Sequence, residues 1–100
     1  EHPDTLSSVN NLALLLQDQG QLEEAAPLYR RALEARERTL GPEHPTTLQT
    51  LVNMGVLHFQ SGDLAAGKAL LVRCAEGRAR SLGPTHPKTL QAQQYLGRCG

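Results

Sequence analysis

The chain repeats itself with a period of 42 residues and no gap. Laying residue 1 on residues 43 and 85 aligns His2 with His44 and His86, Pro3 with Pro45 and Pro87, Thr5 with Thr47 and Thr89, and Leu6 with Leu48 and Leu90. The register continues through Asn11/Asn53, Gly20/Gly62, Leu22/Leu64, Leu28/Leu70, Arg31/Arg73, Glu34/Glu76, Arg36/Arg78 and Arg38/Arg80, and Leu40-Gly41-Pro42 returns as Leu82-Gly83-Pro84. A fixed period between about 20 and 50 residues specifies stacked supersecondary units, none of which can bury its apolar face alone. The expected units are 1–42 and 43–84, with 85–100 as the first helix of a third unit or a capping helix, all within one continuous domain.

Each unit reads as two helices, which predicts an all-α fold of about five helices. Pro3, Pro45 and Pro87 suit the first helical turn, where a missing N–H costs nothing and φ is already helical. From there Leu6, Val9, Leu12, Ala13 and Leu16 recur at spacings of three and four, the packing stripe of an amphipathic helix. Gly20 and Gly62 stop the first helices. Leu22, Ala25, Leu28, Tyr29, Ala32, Leu33 and Arg36 continue at helical spacing, and Gly41-Pro42 ends the second helix. Pro27 falls about one turn into that helix, close enough to its start to be tolerated.

The pattern Val9-x2-Leu12-Ala13-x2-Leu16, followed by Ala25-x3-Tyr29 and Ala32, resembles the tetratricopeptide signature W-x2-L-G-x2-Y followed by A-x3-F. Leu51-x2-Met54-Gly55-x2-His58 with Gly67-x3-Leu71 and Cys74 repeats it, and Gln93-x2-Leu96-Gly97 begins it again. The 42-residue period, the joint LGPxHPxTL and the RALEARERTLG ending of the second helix resemble the kinesin light chain and nephrocystin type. That resemblance spans the whole chain and implies an α-solenoid of antiparallel helix hairpins, the tetratricopeptide superhelix. It also implies a protein–protein interaction scaffold. The joint is read as structural punctuation: Gly-Pro breaks one helix, the residue before the next Pro is held extended, and Pro restarts the chain as helix. The alternative, a ladder of His2, His44 and His86 binding metal or sensing pH, lacks a second ligand type beside each histidine.

Composition excludes other classes. Ten Lys and Arg balance ten Asp and Glu, and Phe59, Tyr29 and Tyr95 are the only aromatics, which provides neither the cationic surface nor the stacking platform of a nucleic-acid binder. No apolar run approaches the ~18 residues of a membrane span. Cys74 and Cys99 share no ligand spacing and make no disulfide framework, so a reduced, cytoplasmic setting is expected. No serine elbow, phosphate loop or His-Glu-x-x-His is present, so no enzyme, cofactor or metal site is expected. Glu23-Glu24 point apart and favour a helix N-terminus. Arg30, Arg31, Arg36 and Arg38, interleaved with Glu34 and Glu37, read as a solvated face.

In this architecture recognition belongs to the concave face lined by first helices. Taking the stripe from Leu6 to Leu16 as packing leaves Ser7, Asn10, Leu14 and Gln17 facing the groove, with Gln49, Val52, Val56 and Phe59 in the second unit and Gln91, Gln94 and Arg98 in the third. Amides can bond a peptide backbone irrespective of its sequence, and Val52, Val56 and Phe59 can hold an apolar side chain. The family resemblance implies a peptide contact for Asn10, where the other units carry Val52 and Gln94. Val52, Val56 and Phe59 read equally as packing surface. Asn11 and Asn53, beside the groove, read as structural. The second functional reading is an architectural or self-associating stretch of a larger signalling or motor-adaptor protein. Two units and a half are fewer than the three usually required, which predicts a piece of a longer array. Leu14, Leu15 and Leu16 form an uncapped apolar edge on the first helix, through which a second copy could pair.

Overall fold

Five α-helices follow one another: α1 (Pro3–Asp18), α2 (Leu22–Leu40), α3 (Pro45–Gln60), α4 (Leu64–Leu82) and α5 (Pro87–Cys99). The computed structural model describes residues 3–99, with side chains from Leu6 onward except those of Tyr95, Arg98 and Cys99. First helices start at their prolines as the repeat demands, and the preceding histidines explain how. Nδ1 of His44 accepts the N–H of Thr46 at 3.2 Å, and Nδ1 of His86 accepts that of Lys88 at 3.1 Å. Each histidine caps a donor that the first helical turn leaves without an intrahelical partner. His2 lies outside the described residues.

The other half of the joint is a glycine. Gly41 has φ 96° and ψ 158°, and Gly83 has φ 98° and ψ 155°, a region of backbone space that is essentially glycine's alone. From there the chain turns back on itself, with the N–H of His44 reaching the carbonyl of Gly41 and that of His86 the carbonyl of Gly83. The two joints are built alike despite different neighbours, Thr46 after one and Lys88 after the other.

Packing proceeds along the chain: α1 on α2, α2 on α3, α3 on α4, α4 on α5, with α1 also touching α3. The core gathers Ala13, Ala25, Tyr29 and Leu33 with Leu48, Leu51, Met54 and Leu57 of α3 and Leu71 and Cys74 of α4. The middle helix is the most enclosed, because second helices cover it on two sides. The repeat makes this visible by comparison. Leu12, expected to pack, is 48% exposed, and Leu15 is 53% exposed. Their equivalents 42 residues later, Met54 and Leu57, are 5% and 1% exposed. Those two share a face of α3 with Thr50, whose hydroxyl contacts Arg36 of α2. Among the described residues no such helix lies against the outer face of α1, and hydrophobic periodicity cannot register that difference.

Arg36 is a second departure from expectation. It is buried, 7% exposed, not solvated, and its Nη1 donates to Thr50 Oγ1 at 2.9 Å. Its counterpart Arg78 is likewise buried, at 3% exposure, but donates to the carbonyl of Lys88 and to Gln49 Oε1, since Ala92 stands where Thr50 does. A long aliphatic stem can lie in a helix–helix seam and still carry its head to a polar partner. Arg30, Arg31 and Arg38 are exposed as expected. Arg73 pairs with Glu37 of α2, tying α4 back to the first unit on the surface, and Arg80 pairs with Glu43 in the joint before α3.

Candidate functional site

The face of the first helices left open by the second helices is a narrow stripe. On α3 it runs through Thr46, Gln49, Asn53, Val56 and Gln60, at spacings of three and four, every one of them exposed or half-buried. The repeat carries the same stripe onto α1 as Ser7, Asn11, Leu14 and Asp18, of which Leu14 is half-buried and the others exposed. On α5 it runs through Lys88 and Gln91, both exposed. Asp18 and Lys88 are its charged side chains among the described residues. The remainder is amide, hydroxyl and aliphatic.

The expected groove residues divide around this stripe. Gln49, Leu14 and Val56 lie on it. Asn10 borders it, half-buried, with its Oδ1 enclosed and unpaired. Val52 is 7% exposed and belongs to the core, which leaves it little surface for a ligand. Gln94 is exposed and lines, with Pro87, Lys88, Leu90 and Gln91, a hollow of about 440 Å³ along α5. The side chain of Arg98 lies outside the described residues. Asn53, Gln60, Asn11 and Asp18 join the stripe without having been expected there. A helical wheel drawn from α3 alone, with its full exposed arc set opposite the buried one, would have found the first two.

Gln17 and Phe59 occupy equivalent positions and turn partly toward the second helix of their own unit, where each unit solves the packing differently. In the first, Gln17 Oε1 accepts the hydroxyl of the fully buried Tyr29 at 2.7 Å, and its Nε2 donates to Gln60 Oε1 at 2.8 Å. In the second, Leu71 stands where Tyr29 does, and the Phe59 ring lies over Gly67, the counterpart of Ala25. A Cβ at Gly67 would meet that ring at 2.6 and 2.7 Å, so the missing methyl is what admits the aromatic. The Gln17–Gln60 bond bridges the two first helices at one end of the stripe. At the other end Gln49 Nε2 donates to Asn53 Oδ1 at 3.1 Å while its Oε1 accepts from Arg78 at 3.3 Å.

Electrostatics follow burial. The Tyr29 phenol is pushed up to about 12 by desolvation, with the charge of Asp18 acting in the same direction. Burial lowers the pKa of Arg36. It also raises that of the Cys74 thiol, against an opposing effect of Arg78, which favours the unreactive protonated form. Among the described residues no cluster of histidine, cysteine or acid has the makings of a metal site, and no helix is long and apolar enough to cross a membrane.

Alternating first and second helices, stacked so that one layer keeps an open polar stripe, define an α-solenoid of the kind that serves as a protein-interaction scaffold. The tetratricopeptide repeat profile matches residues 4–66 and again 47–99, and the chain belongs to that family. Its repeats are of the kinesin light chain type. Two crystal structures are similar over 99% of this chain at 30% identity and a TM-score of 0.84. They show the nearly identical tetratricopeptide-like repeats of a protein assigned as a kinesin light chain in Podosopora anserina, one of them as a glutamine-to-methionine variant. This chain spans 47% of the length of each, about half. No curated protein matches it by sequence.

Proposed function

We propose that this repeat segment recognises a peptide stretch of a protein partner along the open face of α1, α3 and α5. The observation that carries the reading is the amide stripe of Asn11, Gln49, Asn53 and Gln60 around half-buried Val56 and Leu14. Each amide offers donors and an acceptor at once, so the stripe suits the backbone of an extended or helical segment, and the aliphatic centre suits one apolar side chain. Asn10, Gln17 and Phe59 border it, and Gln94 and Arg98 extend the proposed contact onto α5. The balanced charge of the chain disfavours nucleic acid as the partner, and the buried, protonated Cys74 fits a reducing, cytoplasmic setting. The segment acts by binding, without a cofactor or chemistry of its own.

The test is a screen against an array of short peptides, repeated with Gln49→Ala/Asn53→Ala and with Phe59→Ala. Sequence-selective hits that weaken by about tenfold in the amide double variant, with helicity unchanged by circular dichroism, fit the loss of about two hydrogen bonds. Absence of any selective hit, or hits indifferent to these substitutions, overturns the reading.

A second reading rests on a separate observation, the exposure of Leu12 and Leu15 where their equivalents in α3 are covered. It has this face of α1 meet a second copy or a neighbouring repeat, so that the segment serves assembly. Sedimentation of the chain and of Leu15→Lys separates the two: concentration-dependent dimerisation abolished by Leu15→Lys supports assembly, and a monomer at every concentration refutes pairing of this chain with itself.

A further inference from the structure

A cavity of about 190 Å³ sits at the second joint, beside the Gln49 end of the open stripe, where the end of α4 meets the starts of α3 and α5. Pro45, Leu48 and Leu82 form its apolar wall, and Arg78, Ser81, His86 and Lys88 form the rest. Among the described residues no carboxylate lines it. The guanidinium of Arg78, 3% exposed, has only neutral acceptors among its hydrogen bonds: the carbonyl of Lys88 at 3.2 Å and Oε1 of Gln49 at 3.3 Å. The acids nearby in sequence are engaged elsewhere, since both Glu43 and Glu76 face Arg80. A cation removed from water without a counter-charge is costly, and an anion entering beside it offsets part of that cost.

The remaining groups are set to donate. Nδ1 of His86 accepts the Lys88 N–H, which leaves Nε2 to carry the proton of the neutral ring. Lys88 brings a second cation to the first turn of α5, where the helix dipole is positive. The first joint lacks this set: position 46, the equivalent of Lys88, is threonine, and Thr39 stands for Ser81. The extra charge is thus specific to one joint and is not required by the joint's architecture.

We infer that the cavity at the second joint binds a single oxyanion group, a carboxylate or a phosphate, between Arg78, His86 and Lys88. Its volume suits one such group with the first carbons of its carrier. The site adjoins the amide stripe at Gln49, which accepts from Arg78, but differs from it in its cationic lining, and it stands whether or not that stripe binds peptide.

The experiment is an NMR titration of the whole chain with inorganic phosphate and, separately, with acetate, against chloride at matched ionic strength. Saturable shifts confined to the lining, residues 45–49 and 78–90, weakened about fivefold or more in Lys88→Thr as expected for one lost charge-assisted contact, support the site. Tighter phosphate binding identifies a phosphorylated source, and tighter acetate binding an acidic one. Lys88→Thr restores the residue of the first joint and is exposed, so folding is not at stake. Shifts that never saturate, or that are unchanged in Lys88→Thr, overturn the inference.

Discussion

Replacing Gly67 by alanine pits two effects of opposite sign against each other. As an exposed-helix substitution it would stabilise by about 1 kcal/mol, the difference in helix propensity. Here the new methyl lands 2.6 and 2.7 Å from two carbons of the Phe59 ring and 2.9 Å from the carbonyl of Gly55, where ordinary contact begins near 3.4 Å. Overpacking of that kind costs about 1–3 kcal/mol. We therefore expect a net loss of about 1 kcal/mol, or roughly 4–8 °C in Tm for a domain of this size. Phe59→Ala alone should cost about 2 kcal/mol, less than for a fully buried ring because Phe59 is half-buried. In Gly67→Ala/Phe59→Ala the clash with the ring is gone and only the close approach to the Gly55 carbonyl remains, so the double variant should be about 1 kcal/mol more stable than the sum of the singles implies. Urea denaturation followed by circular dichroism measures all four proteins of the cycle. Additivity within about 0.3 kcal/mol, or a stabilising Gly67→Ala, would refute the claim that the absent methyl admits the ring.

Three further outcomes follow from the same geometry. Tyr29 holds its proton more tightly when folded than the unfolded chain does, so its contribution is complete below pH 10 and is lost as pH rises toward 12, at about 1.4 kcal/mol per unit; alkaline denaturation should be delayed in Tyr29→Phe, and an unchanged profile would count against the buried phenol. Thr50→Val should destabilise by about 1–3 kcal/mol by leaving the Arg36 guanidinium without its acceptor, whereas Arg36→Met should stay within about 1 kcal/mol of wild type by thermal melting; the reverse order would show that the arginine head is solvated after all. His44→Ala should cost about 1 kcal/mol by removing the cap on Thr46, with His44→Asn retaining most of it in the same melts; equal losses in both would mean that the Nδ1 contact contributes nothing.

The fold was legible because the punctuation repeats: three prolines, four glycines and a constant register place every helix start and joint before any packing is considered. The site was legible only in part. Gln49 and Val56 fall in the middle of the open arc and were found, but Val52 and Phe59 sit at its borders, where the position of α4 decides which way a side chain faces. Leu12 shows a different limit. Periodicity identifies a face fit for burial, yet says nothing about whether a helix is there to bury it. Arg36 shows a third, since a charged residue in an Arg–Glu-rich helix carries no mark of burial until the threonine that receives it is located in another helix.

The two glycine joints have a consequence for how such a chain can diverge. Gly41 and Gly83 match within 2° in φ and 3° in ψ although the hairpins they connect are filled by different side chains, Tyr29 with Gln17 in one and Phe59 over Gly67 in the other. The backbone of the joint is therefore held by glycine torsions and histidine caps that are alike whatever fills the hairpins. A unit can exchange an aromatic for an amide internally, or acquire a lysine at its rim, while the joint keeps its torsions, so neighbouring units are free to diverge in side-chain chemistry without falling out of step.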